Sequence, residues 1–360
     1  MYLKKTGHWL VLSVLGAFLA ACSGPSYYMQ AISGHWKLMH ARQDVRTLLE
    51  DPSSSPELIQ NLESSRQIIE FAEATLDLPA NGSYSSYVEL DDNVITWNVI
   101  AAAEFSLAPK KWCFPVAGCL PYRGYFKQQE AQKSATKLRN KGMDVHVATA
   151  TAYSTLGKFR DPLLSSMFTG SDTRLAAYLF HELAHQRLYI KGDGRFNESY
   201  ASFVEQVSVL AWLKKRQQAD ELQQWRYLQE VERDFTSLVS DTREKLADLY
   251  GRDVAESAMR LQKTEILASH VSSHKELIKN KWAGEHYFHT WIEEPVNNAR
   301  LAQFSTYQSG QCAFQSLMDK ADGKMPEFHR LVMQQAKLKK ELRDKWLNQS
   351  CTVIASASKL

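Results

Sequence analysis

The chain predicts an α+β fold, predominantly α-helical with a small β-sheet, and three features carry that prediction. Apolar residues recur at helical spacing through most of the 360 residues. One stretch, Met143 to Tyr153, alternates and is rich in Val and Thr, the pattern of a half-buried strand. Between 172 and 190 two histidines four residues apart sit in an apolar, helix-periodic run without Pro or Gly, which places a helix at the centre of the chain.

Taken in order, 28–50 and 56–78 read as two helices separated by the turn-forming run Asp51-Pro52-Ser53-Ser54-Ser55-Pro56. Residues 94–107 alternate poorly and fit either strand or helix. Residues 112–126 read as an irregular loop closed by a cystine, and 128–141 as a polar amphipathic helix. After the strand come two helices at 172–190 and 196–216. Ser171 or Asp172 can cap the first, and Gly192 suits its end, since Gly tolerates the left-handed conformation found there. The remainder reads as largely helical, with charged stretches near 217–250 and 252–280 and a further helix near 326–346. The expected division is a leader over 1–21, a catalytic region over 22–216, and a helical region over 217–360 packing on the same site.

Composition narrows the function classes. The formal charge is +3, falling to +1 once Lys4 and Lys5 leave with the leader, so no field suited to nucleic acid is implied. Nine Trp suit a well-packed globular protein with an apolar cleft. Neither an internal repeat nor a low-complexity linker divides the chain.

The chemistry concentrates in Leu179-Phe180-His181-Glu182-Leu183-Ala184-His185-Gln186. This is H-E-x-x-H: His181 and His185 share one helical face and can grip one metal ion, while Glu182 can serve as general base for a water at that metal. The pattern points to zinc-dependent peptide hydrolysis. A catalytic zinc takes three protein ligands. The following segment, Arg195 to Gln206, is again helix-periodic and offers Glu198 and Glu205, two turns apart and on roughly one side. One of them can bind metal while the other supports a ligand histidine.

Asn197-Glu198-Ser199-Tyr200-Ala201-Ser202-Phe203-Val204-Glu205 resembles the N-E-G-F-A-x-Y-V-E stretch of the gluzincin aminopeptidases. That resemblance implies a zincin-like catalytic domain, with Glu198 after Asn197 as third zinc ligand and Glu205 as supporting carboxylate. Only residues 186–197 separate His185 from Glu198, a shorter span than in the best-known gluzincins. The turn through Lys191-Gly192-Asp193-Gly194 must be tight, and Glu205 stays open as the alternative ligand. Trp112-Cys113-Phe114-Pro115-Val116-Ala117-Gly118-Cys119, Tyr122-Arg123-Gly124-Tyr125-Phe126, Tyr153-Ser154-Thr155-Leu156-Gly157, Asp161-Pro162 and Asn297-Asn298-Ala299 together resemble a bacterial family of predicted aminopeptidases, often lipoproteins.

The leader supports such a location. Lys4 and Lys5 precede an apolar run from Trp9 to Ala20, too short to span a bilayer, which needs about 20 residues. Leu19-Ala20-Ala21-Cys22 resembles a lipobox, in which Cys22 becomes the lipidated N-terminus. With Ser at position 23, the expected destination is the outer membrane, facing the periplasm. The other cysteines, Cys113, Cys119, Cys312 and Cys351, are even in number, as disulfides in an exported chain would be. Cys113–Cys119 and Cys312–Cys351 are the expected pairs.

Other candidates are Tyr307, then Tyr153, to stabilise an oxyanion. Val145 to Thr155 can act as an edge strand pairing with substrate backbone or as a plain core strand. Asn297 and Asn298 can contact a substrate terminus or cap a helix near Ala299. His270 and His274 read as a solvated helix face, and His286 and His289 as structural or exposed. Two further readings compete with an aminopeptidase: an envelope endopeptidase, and a non-catalytic zinc-binding scaffold or chaperone. Peptide or protein is the expected substrate in either enzymatic case. Oligomeric state is not legible.

Overall fold

The computed structural model describes residues 25–91, 93–114, 118–150, 160–304 and 310–349. It begins with α1 (Pro25–His40), β1 (Gln43–Asp44), α2 (Val45–Glu50) and α3 (Pro56–Leu76). The strand-rich part follows: β2 (Ser86–Val88), β3 (Thr96–Ala103), β4 (Trp112–Phe114), β5 (Gly118–Leu120), β6 (Arg123–Tyr125), α4 (Gln128–Arg139), β7 (Met143–Ala150) and β8 (Leu163–Leu164). From there the chain is helical: α5 (Asp172–Arg187), α6 (Gly194–Lys215), α7 (Ala219–Tyr250), α8 (Glu256–Asn280), α9 (Thr290–Glu293), α10 (Asn298–Phe304), α11 (Gln311–Lys320), α12 (Met325–Ala336) and α13 (Lys340–Leu347). The α+β, mainly helical class is therefore the observed one.

Several boundaries differ from the sequence reading. The segment 28–50 is not one helix: Asp44 pairs with Ser86 as a strand residue, and its carboxylate caps α2 by accepting from the Arg46 and Thr47 amides at 2.9 and 3.2 Å. The ambiguous 94–107 resolves as strand, with β3 central in the order β6-β3-β7. Within the expected irregular loop at 112–126, β4 pairs with β5 and β6 joins β3. Cys113 and Cys119 lie opposite each other in the β4–β5 pair and are disulfide-bonded. The expected helix at 326–346 is two helices, α12 and α13. The buried Arg343 donates to the carbonyls of Ala336, at 3.2 Å, and of Leu338, satisfying acceptors that the end of α12 leaves open.

The main core joins α3, α5 and α6 with α11, α12 and α13 through Leu62, Phe71, Phe180, Phe196, Phe314 and Phe328, among others. The last three helices thus return to the first half of the chain, across the 216/217 division. His329 sews them in. Its Nε2–H donates to the Leu76 carbonyl (3.0 Å), and its Nδ1 accepts from the Tyr200 hydroxyl (2.8 Å). A carbonyl can only accept, so this pairing fixes the neutral tautomer.

A second core packs α7 against α8, with Phe235, Trp282, Trp291 and Leu301. Here the sequence reading of His270 and His274 is corrected: they are 2 % and 0 % exposed, not a solvated face. His270 Nδ1 pairs with the Thr242 hydroxyl at 2.9 Å, and His274 Nε2 donates to the Tyr287 carbonyl at 3.1 Å. A polar joint fastens this bundle to the sheet. Lys263 Nζ donates to Asp144 (2.7 Å) and the Glu104 carbonyl (2.8 Å). Asn298 Nδ2 donates to the carbonyls of Ala103 (3.2 Å) and Glu104 (2.8 Å), while Tyr250 donates to Asn298 Oδ1 (2.8 Å).

The buried imidazoles make a pH prediction. Burial, first among several causes, holds His146, His270 and His329 down at about 4 in the folded protein. The unfolded chain takes up these protons near pH 6.5. Between the two values the unfolded state binds more protons, so stability rises with pH there and is fully present above about 6.5. Through these three groups the urea midpoint should fall as pH drops from 6.5 toward 4. A midpoint unchanged between pH 7 and 5 would contradict the burial of these three groups.

Candidate metal centre

Helix α5 forms where the sequence places it. Ser171 caps it by accepting from the Arg174 amide at 3.3 Å, with Asp172 in the first turn facing the positive end of the helix dipole. Leu175, Leu179, Phe180 and Leu183 bury one face in the main core. The helix ends at Arg187, before the stop expected at Gly192, because Leu188 is already extended (φ −151°). Gly192 instead supplies a positive φ of 81° inside the turn to α6.

That turn is clamped. Asn197 Nδ2 donates to the Ile190 carbonyl and Asn197 Oδ1 accepts from the Ile190 amide, both at 2.8 Å. Asp193, 2 % exposed, caps α6 by accepting from the Phe196 amide at 3.4 Å. Its other oxygen lies 2.8 Å from Arg343 Nε and 2.7 Å from Nη2. Asn197 therefore acts on the turn and not on a histidine, and it sets where the next residue, Glu198, enters the site.

Glu198 faces both imidazoles. Its Oε2 is 3.4 Å from His181 Nε2 and its Oε1 is 3.7 Å from His185 Nε2. Ligands about 2.0–2.1 Å from a tetrahedral centre lie roughly 3.3 Å apart, so these separations suit atoms that share a cation better than atoms that bond each other. His181, His185 and Glu198 can hold a metal ion, with donor atoms all within 4.8 Å of one another. Glu205 lies on the other side of His181, its Oε2 3.0 Å from Nδ1. A carboxylate only accepts, so Nδ1 carries a proton, and Nε2, on the Glu198 side, is the nitrogen through which His181 could bind a metal. Among the described residues His185 Nδ1 has no hydrogen-bond partner.

The charges also fit a cation. Burial opposes a charged His181, yet the carboxylates around it, Glu198 and Glu205 first and then Glu182, outweigh this and push its pKa well up. Burial would raise Glu198, but His181 and His185 hold it below its usual value. His185 is lowered to about 4, by burial first and then by the charge on His181. Three carboxylates around two imidazoles thus draw in positive charge, which a divalent ion would supply.

Two neighbours of Glu182 escaped the sequence reading. Tyr84 and Tyr178 have buried hydroxyls without hydrogen-bond partners among the described residues. Both phenols are pushed well up by burial and then by the Glu182 charge. Tyr178 is four residues before Glu182 on α5, a spacing that could have flagged it; Tyr84 has no such signal. A cavity of about 440 Å³ borders Glu205 and is lined by Arg174, Trp225, Leu228 and Phe288, but not by the three metal donors.

The remaining candidates divide. Asn297 caps α10, its Oδ1 accepting from the Arg300 amide (3.0 Å), and its Nδ2 donates to the Val145 carbonyl (3.2 Å). With the joint already described for Asn298, both side chains bond within the fold, and Asn297 takes the helix-capping place that the sequence offered beside a substrate contact. Strand β7 lies at one edge of its three-stranded sheet. Cys312 is disulfide-bonded. Cys22, Tyr153, Tyr307 and Cys351 lie outside the described residues.

A family model described as "Putative aminopeptidase" matches residues 26–347, and the chain belongs to that family. No curated protein and no solved structure matches it.

Because Glu205 orients His181 without entering the donor set, Glu205→Gln should retain metal at an affinity lowered about 10- to 100-fold. Glu198→Gln should lose more. Competition with a chelator of known affinity reads both, and equal losses would remove the distinction between ligand and support.

Proposed function

We propose that this member of the family is a zinc-dependent peptidase with a gluzincin-like site, in which His181, His185 and Glu198 hold the metal and Glu182 is the general base. One observation carries the reading: both Nε2 atoms face the two oxygens of a single carboxylate, at 3.4 and 3.7 Å, the spacing of neighbouring ligands. Two imidazoles and a carboxylate suit zinc and leave a fourth position for substrate or water. When bound, zinc supplies Lewis-acid polarisation of the scissile carbonyl and eases deprotonation of water.

The chain's own residues do the rest. Glu182, adjacent in sequence to His181, takes the proton from the attacking water and delivers it to the leaving amine. Glu205 keeps His181 in the tautomer whose Nε2 is free to bind. The Asn197 clamp sets the register of Glu198. Tyr307 or Tyr153 would stabilise the oxyanion, a role the sequence alone suggests.

Family membership supports aminopeptidase action over the alternative of an envelope endopeptidase. A peptide with a free N-terminus should be cleaved and its acetylated form spared; cleavage of both would favour the endopeptidase. A non-catalytic zinc scaffold would have no need of Glu182 beside the donors. The lipobox at Cys22 supports attachment to the outer membrane, facing the periplasm. The disulfides at Cys113–Cys119 and Cys312 agree with an oxidising compartment.

Glu182→Gln should keep one metal per chain and lose turnover by about 10²-fold or more. His185→Ala should lose both. Elemental analysis beside a peptide-hydrolysis assay separates the cases, and a fully active Glu182→Gln protein would sink the mechanism.

A further inference from the structure

Helix α1 is apolar on two opposite sides. One side docks: Tyr27 stacks on Phe114 and meets Tyr125 edge-on, Gln30 accepts from the Phe126 amide at 2.9 Å, and Leu38 is 6 % exposed. Gly34 belongs to this side, since a Cβ there would fall 2.2 Å from the Phe126 ring. At 100° per residue, Tyr27, Gln30, Gly34 and Leu38 form one stripe.

The opposite side holds Met29, Ile32 and Trp36, which are 68 %, 65 % and 61 % exposed and mutually three to seven residues apart. The fold's own core does not use them. Single exposed apolar residues need no explanation, but a stripe of three, with a Trp, on the face directly opposite the docked one does.

Two observations identify what covers it. First, α1 contains no Asp or Glu, and Lys37 and His35 flank the stripe. Lys37 meets Asp91 only as an exposed pair at 3.4 Å, 79 % and 93 % accessible, which holds it weakly. An acid-free apolar strip with Lys37 at its border matches the headgroup region of an anionic bilayer, where Trp is favoured. Second, Met29 follows the apolar segment Trp9–Ala20 closely and stands seven residues after Cys22. Seven residues reach roughly 25 Å at most, so a lipid on Cys22 would hold the stripe beside the membrane at high effective concentration.

We infer that the Met29–Ile32–Trp36 face of α1 is a membrane-contact surface, seating in the headgroup–acyl boundary of an anionic phospholipid bilayer. The inference goes beyond the peptidase reading and rests on the proposed N-terminal anchor. One anchored chain would then touch the membrane at two points, the acyl group and the α1 face. Contact at the second point fixes which side of the protein looks away from the bilayer.

The test supplies its own tether, so a failure of natural lipidation cannot be confused with a failure of the surface. The mature protein, with a hexahistidine tag in place of Cys22, is bound to nickel-chelating lipid in phosphatidylethanolamine–phosphatidylglycerol vesicles. Ile32→Cys carries an environment-sensitive fluorophore, with Lys279→Cys on α8 as the exposed control. The label at 32 should shift to the blue on tethering and be quenched about twofold or more by brominated acyl chains. The label at 279 should not respond. Met29→Gln and Trp36→Gln together should abolish the response at 32 while leaving the circular dichroism unchanged. A label at 32 that stays in water on the tethered protein would overturn the inference. So would a blue shift that grows with protein concentration without vesicles, since a second copy of the chain would then be the occupant.

Discussion

Three donor atoms carried on two helices meet at one point only if those helices keep a fixed register. The paired bonds between Asn197 and Ile190 set that register, because they join the first turn of α6 to the chain leaving α5. With that turn closed, Glu198 lies across from both histidines and Glu205, two turns further on, reaches the outer nitrogen of His181. A slip of one residue in α6 would rotate both carboxylates by about 100° and leave neither in place. The short span between His185 and Glu198 is thus met by an end of α5 at Arg187 and a left-handed Gly192, which together bring Glu198 across from both histidines.

Around this pair the molecule uses two kinds of joint. Apolar packing of Phe196, Phe314 and Phe328 fills the space behind α6. Polar joints decide which elements meet: His329 between α3, α6 and α12, and Asn298 with Lys263 between the α7–α8 bundle and the sheet. Such groups cost free energy unless every partner is present, so they favour one arrangement over near alternatives. The Asp193–Arg343 pair is of this kind, with both side chains under 10 % exposed. Removing Arg343 would leave Asp193 only the half-exposed Lys340 ammonium, 3.5 Å away, to face.

Much of the centre was legible because its information is local. The i, i+4 histidines, the Ser171 cap and the apolar rows of α5 lie within one window of sequence, and so do Asn197, Glu198 and Glu205. What failed to read was set by distant partners. His270 and His274 sit among polar neighbours in sequence, yet Phe235 and Trp291 from other helices enclose them. The break between α1 and α2, where β1 intervenes, depends on a strand about forty residues away. Asn297 and Asn298 were legible as a helix cap near Ala299, but not their bonds to Val145 and Ala103, which lie far upstream. Tyr84 comes within electrostatic range of Glu182 from a segment with no periodic pattern of its own.

The bond from Arg343 to Asp193 joins residues 150 positions apart. A ribosome has therefore made both motif helices long before it makes the side chain that neutralises the buried cap of the second. Until then Asp193 has no guanidinium to face, the main core lacks α11 to α13, and the ligand register has no outer support. A nascent or prematurely ended chain would carry the whole H-E-x-x-H motif and its Asn197 clamp, yet lack the C-terminal helices that complete the main core behind them.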